Sequence, residues 1–267
     1  MADYLSTLTP EQKTNIGIIT DRMVAKGITN PFTQAAILSV ASKESEFKLH
    51  RESGYGKTPN DRIRAIFGKK VKDLSEAQLT ALKANDVAFF NKIYGGVYGN
   101  GPADGYKYRG GGFNQLTFKD NFAAEGKKIG VDLVNNPDLI NTPSVAADAL
   151  IQYFIDRFKA APAGTLAKYN STGLNDFKNE SDSLRAVYQA NAGWGFKDAD
   201  INDKTGGFDK AKARIAGFLI KAKDTVVTTV TQNPGKSAAT GVALFFLGVA
   251  FVLTRPKKKP NETPTNI

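Results

Sequence analysis

Cysteine is absent from the 267 residues, and histidine occurs once, as His50. The first absence removes disulfides, thiolate nucleophiles and cysteine-ligated zinc. The second leaves no set of imidazoles for a hydrolytic zinc site, and His50 reads as an ordinary polar residue rather than a triad member. No metal and no cofactor is expected. Alternating apolar runs long enough for a large sheet are missing, and so is any internal repeat. Met1 to Thr9 carries Asp3 and lacks a basic stretch followed by an apolar core, so no secretory signal is expected there. Hydrolytic chemistry, if any, falls to carboxylates, hydroxyls, amides and backbone donors.

Apolar residues make up 41% of the chain, enough to bury a substantial core. Helix signals follow one another along it. Thr9-Pro10-Glu11-Gln12 and Ser75-Glu76-Ala77-Gln78 are capping boxes. Asn30-Pro31 and Thr142-Pro143 open two further helices, the first through Ser42 and the second through Phe154. Ser183 to Ala190 and Asp209 to Lys221 complete the series. The fold class expected is mainly α, with residues 1–223 as the globular part.

Composition shifts near Thr225. Residues 224–236 read as a linker that ends in Asn233-Pro234-Gly235. Ser237 to Thr254 then carries no charge. As a helix this run measures roughly 27 Å, close to the thickness of a bilayer core. A buried core helix is the alternative, but Arg255-Pro256-Lys257-Lys258-Lys259 behind it is a membrane stop signal. A single C-terminal transmembrane helix over 237–254 is therefore expected, with a lipid bilayer as partner and 255–267 as a basic, disordered tail. The net charge of +10 suits anionic partners. Its spread along the chain favours a charged matrix over a nucleic-acid groove, so no nucleic acid is expected.

Glu44 lies late in the helix opened by Pro31, and Glu52 follows it just past the helix end. Two carboxylates at one cleft suit glycosidic hydrolysis, in which one donates a proton and the other activates water. Solvated surface glutamates are the plain alternative. Gly95 to Gly112 is glycine-rich, either for close approach to a ligand or for tight turns.

The wider context resembles the family 19 glycoside hydrolases, the chitinases and the phage endolysins related to them. Lys43-Glu44-Ser45-Glu46-Phe47 is similar to their H-E-S-G-G-F, shortened by one glycine, and Glu52 then falls on the second family glutamate. Arg62 to Phe67 resembles R-L-x-x-x-F, and Val97 to Gly101 resembles Y-G-N-G. Gly105 to Gly112 is similar to G-x-x-Y-R-G-R-G, and Gln115-Leu116-Thr117 with Asn121 to Q-L-T/S-x-x-x-N. Val131 to Leu139, Asn191-Ala192-Gly193 and Arg214 to Phe218 continue the series, which covers about residues 33–220.

The resemblance implies a lysozyme-like α-helical glycosidase domain and an inverting mechanism. Glu44 would be the general acid, Glu52 the general base, and Thr117 would orient the water. Gln115, Asn121 and Asn191 would bind sugar acetamido and hydroxyl groups, and Arg214 would hold the carboxylates in place. Tyr106, Tyr108 and Trp194 would stack on sugar rings or pack in the core. Three positions depart from the family: Lys43 stands where it has histidine, Gly111 where it has arginine, and Glu46 adds a carboxylate.

With the expected anchor and charge, the substrate expected is the β-1,4 linkage of peptidoglycan between N-acetylated sugars. A lytic transglycosylase and a non-catalytic wall-binding membrane protein remain as alternatives. The expected location is a single-pass protein in a phage's internal membrane or the host inner membrane, its catalytic domain opposite the basic tail.

Overall fold

In the computed structural model the described residues are 4–194 and 207–232, with side chains through Leu219. Residues Met1–Thr228 form one unit and Thr229–Ile267 a second; the site described below lies in the first. Nine α-helices are present among the described residues: α1 (Pro10–Ala25), α2 (Pro31–Ser45), α3 (Asn60–Val71), α4 (Glu76–Lys83), α5 (Asp86–Tyr94), α6 (Lys119–Ile129), α7 (Pro143–Lys159), α8 (Glu180–Ala192) and α9 (Gly207–Gln232). Short 3-10 turns cover Tyr4–Thr7, Pro137–Asn141 and Leu166–Tyr169. No strand occurs among the described residues, as the mainly α expectation requires.

Local sequence explains where most of these helices start. Thr9 and Ser75 each accept from the backbone of the glutamine three residues on, and that glutamine returns the bond, so both capping boxes form. Asn30 caps α2 with its side chain and Pro31 takes the first turn, where a missing N–H costs nothing. α9 extends through Gln232, so residues 224–232 of the expected linker are helical. Thr and Val there lower helix propensity only by tenths of a kcal/mol each, whereas the first strong breaker is Pro234. No helix among the described residues is long and apolar enough to cross a membrane. The expected span at 237–254 and the tail at 255–267 lie outside the described residues.

Helix α2 forms the centre of the main core. Every residue from Thr33 to Ser42 is buried, which is the behaviour of a helix apolar on all sides. Its serines do not violate this, because Ser39 donates to the Ala35 carbonyl at 2.7 Å and Ser42 to the Ser39 carbonyl at 2.7 Å. Small side chains let α8 pack along α2, while α7 packs on α1. A second, mostly aromatic cluster joins α3, α4 and α5 through Ile63, Leu79, Phe89 and Phe90. A third, around Tyr108, Phe122 and Ile140, seats α6 and the 137–141 turn.

The end of α2 sets the positions of the two glutamates. Glu46 and Phe47 both take positive φ, at 50° and 59°, a conformation that costs non-glycine residues about 1–3 kcal/mol each. Side chains from α1 hold this turn. Gln12 Nε2 donates to the Glu46 carbonyl at 2.7 Å, and Asn15 Nδ2 to the Phe47 carbonyl at 2.9 Å. Phe47 itself is fully buried against Phe218, with ring centroids 5.7 Å apart. Asn15→Leu keeps the volume but strands the Phe47 carbonyl, so it should lower unfolding free energy by about 1–3 kcal/mol in urea titration. A change within the error of the titration would show that the bond does not hold the turn.

Candidate active site

Glu44 occupies the last turn of α2, exposed to solvent. Its Oε1 accepts from Asn191 Nδ2 at 3.0 Å and pairs with Lys43 Nζ at 2.9 Å. Asn191 is fixed in turn from α7: Tyr153 donates its hydroxyl to the Asn191 carbonyl at 3.1 Å, and Arg157 Nε donates to the Ala190 carbonyl at 2.7 Å. These bonds satisfy carbonyls that the end of α8 leaves open. The amide expected to bind sugar thus has one N–H committed to the carboxylate, making Asn191 an orienting group for Glu44.

Glu52 lies in the loop after α2 and is held from three directions. Tyr55 and Tyr94 donate their hydroxyls to Oε1 at 2.8 and 3.0 Å, and the Gly110 N–H reaches Oε2 at 3.3 Å. The Glu52 N–H donates back to the Gly110 carbonyl at 2.8 Å. Burial, reinforced by the neighbouring Glu52, pushes both phenols above the ordinary tyrosine range, so each remains a donor. Their rings are locked by the aromatic cluster, Tyr55 against Phe67 and Phe89, Tyr94 against Phe90. Three donors thus converge on one carboxylate.

A side chain at Gly110 would have to displace the Gln115 amide. A Cβ there would stand 2.9 Å from Gln115 Oε1 and 3.3 Å from Glu52 Cβ. The glycine-rich loop therefore serves close approach at this point, bringing Gln115 beside Glu52. From Gln115 a short chain of bonds runs on: Thr117 Oγ1 donates to the Gln115 carbonyl at 2.9 Å, and Asn121 Nδ2 to the Thr117 carbonyl at 2.8 Å. Thr117 spends its proton on that bond, which leaves its oxygen lone pairs to accept from a water. Tyr106 is half-buried under Arg109, whose guanidinium lies 3.8 Å from the ring centroid while its Nε donates to the Glu52 carbonyl.

Two aromatic residues left open between sugar stacking and core packing, and the arginine expected to hold the carboxylates, are placed as follows. Tyr108 is 1% exposed, packed on Phe122 with its hydroxyl on the Val134 carbonyl, so it belongs to the core and cannot stack on a sugar. Trp194 packs edge-on against Phe158 and gives its indole N–H to the Arg157 carbonyl. Arg214 donates to the Ser42 carbonyl and hydroxyl and covers the Tyr4 ring. Its charge acts on Glu46, whose carboxyl is held below the usual range chiefly by the Lys48 hydrogen bond. Among the described residues Arg214 therefore supports the end of α2 from beneath and does not bond Glu44 or Glu52.

Tyr55, Tyr94 and Arg51 escaped the motif reading. The tyrosines come from separate helices or loops, so no local spacing announces them. Arg51 has a signal, the arginine missing at Gly111. Its side chain, 8% exposed, fills the space there: a Cβ on Gly111 would lie 3.1 Å from Arg51 Cδ. One guanidinium nitrogen donates to the Lys107 and Arg109 carbonyls, the other to the Pro137 carbonyl and Asp138. Burial, with Arg109 nearby, lowers its pKa to about 10, still charged at neutral pH. No group of three or more His, Cys, Asp or Glu residues suited to a metal occurs among the described residues.

Comparison with known proteins bears out the family likeness over part of the chain. The family model of class I chitinases, glycoside hydrolase family 19, matches residues 94–167. That segment holds Tyr94, Gly110, Gln115, Thr117 and Asn121, but neither glutamate. An acidic 27 kDa endochitinase of Solanum lycopersicum is 31% identical over 137 residues, covering 48% of this chain and 47% of its own. A basic endochitinase of Vitis vinifera is 54% identical over 43 residues, 16% of this chain and 14% of its own. The chain thus spans less than half the length of either relative.

Arg51→Met should lower unfolding free energy by about 3 kcal/mol, because it strands several buried acceptors at once. Arg51→Lys should recover less than half of the loss, since one ammonium cannot serve both sides of the fork. Full recovery by lysine in urea titration would contradict the clamp.

Proposed function

We propose that this chain is a glycoside hydrolase that cuts β-1,4 bonds between N-acetylated amino sugars of peptidoglycan by inversion. The observation that carries the reading is the contrast between the two glutamates. Glu44 is exposed, with one amide donor and one lysine at a single oxygen, open to an incoming glycosidic oxygen. Glu52 is half-buried among three donors that keep it an acceptor. In the reaction Glu44 gives its proton to the leaving oxygen, and Glu52 takes one from a water that attacks the anomeric carbon. Thr117 accepts a hydrogen bond from that water, and Gln115 binds the sugar beside it. The match to class I chitinases and the resemblance of both endochitinases support this class of chemistry.

Peptidoglycan is favoured over chitin by the net charge of +10, which suits an anionic polymer. The charge-free run at 237–254, with the cations behind it, is the proposed tether to a bilayer. A membrane-containing phage would supply both the membrane and the need for local wall opening at entry or lysis. Recovery of the full chain in lipid-bearing virions supports that setting, and its confinement to lysing cells opposes it.

Mass spectrometry of muropeptides released from sacculi tests the chemistry. Glu44→Gln and Glu52→Gln should each reduce release by about 10²-fold or more, with reducing ends in the wild-type products. Anhydro ends, together with an active Glu52→Gln variant, would identify a transglycosylase instead. Binding to sacculi without any release would identify a wall-binding protein.

A further inference from the structure

A polar cavity of about 240 Å³ adjoins the end of α2, lined by Ser42, Lys43, Glu46, Gly207, Lys210 and Arg214. Three of these side chains are cations. The one carboxylate, Glu46, is already committed to Lys48 at 2.8 Å. The cavity thus offers an excess of positive charge, in a walled space large enough for a small acidic group. Lys43 belongs both to this lining and to the candidate acid, since its Nζ lies 2.9 Å from Glu44 Oε1.

Both partners of that pair are about one-third exposed, so it is weak and open to competition from another anion.

We propose that the cavity is a subsite for an acidic substituent on the substrate, a carboxylate of the lactyl or peptide arm of an N-acetylated sugar. The bound carboxylate pairs with Lys210 and competes with Glu44 for Lys43. A neutral chitin strand has no group to compete for Lys43. The proposal rests on the hydrolase reading above and adds to it a reason for choosing an anionic glycan.

The test compares glycan strands bearing free lactyl carboxylates with the same strands amidated at those carboxyls, using the full chain. Wild type should show a kcat/KM about tenfold higher on the acidic strand, a difference on the scale of one charge-assisted bond. Lys210→Gln should cut that preference by about threefold or more, while Lys13→Gln on α1 leaves it unchanged. Lys43→Gln should flatten the preference as well. Equal wild-type rates on the two strands, or a preference untouched by Lys210→Gln, would overturn the subsite. Should wild type cleave neither strand, the hydrolase reading fails by itself. Calorimetric binding of both strands then decides the subsite: tighter binding of the acidic strand, lost in Lys210→Gln, supports it, and equal binding refutes it.

Discussion

Glu52 and Gly110 bond to each other twice, through the Glu52 N–H on the Gly110 carbonyl and the Gly110 N–H on the Glu52 carboxylate. This double link joins the loop after α2 to the glycine-rich loop before α6. Around it the rest of the site falls into place: Gln115 can lie beside Glu52 because position 110 has no side chain, and Arg51 bridges the same two segments one residue away. Tyr55 and Tyr94 close the other side, each ring held by the aromatic cluster of α3 to α5. That cluster thereby aims two donors at one oxygen of Glu52.

Glu44 depends on a different part of the molecule. Its position comes from α2, a helix buried over most of its length, and from the turn that Gln12 and Asn15 hold in place from α1. Asn191 reaches it from α8, whose end is satisfied by side chains of α7. Glu44 is thus supported by the main core and Glu52 by a smaller one. Lys43 remains the unusual feature, because it pairs with Glu44 and also lines the cavity beside the end of α2.

How legible the fold was depended on whether its signals were local. Capping boxes at Thr9 and Ser75 and prolines at 10, 31 and 143 act within four residues, and the helices they announce are present. α6 starts behind Phe118, at φ 76°, and α3 behind Pro59; neither has a side-chain cap, so neither announced itself. At the site, the ordered motifs marked Glu44, Glu52, Gln115 and Thr117, but gave Tyr108 a binding role that its burial denies. Motif likeness preserves a residue's type without saying which way its ring faces. Arg51 was hidden for a related reason: it fills, from another stretch of chain, the space beside Gly111 where the family carries an arginine.

The most direct test of the two-carboxylate account is the configuration of the first product formed. Proton NMR of the full chain acting on a defined N-acetylated glycan should show the α-anomer first, before mutarotation mixes the signals. That outcome follows if Glu52 directs water to the face opposite the leaving group. A β-anomer appearing first would mean a retained configuration, and would contradict the role given to Glu52.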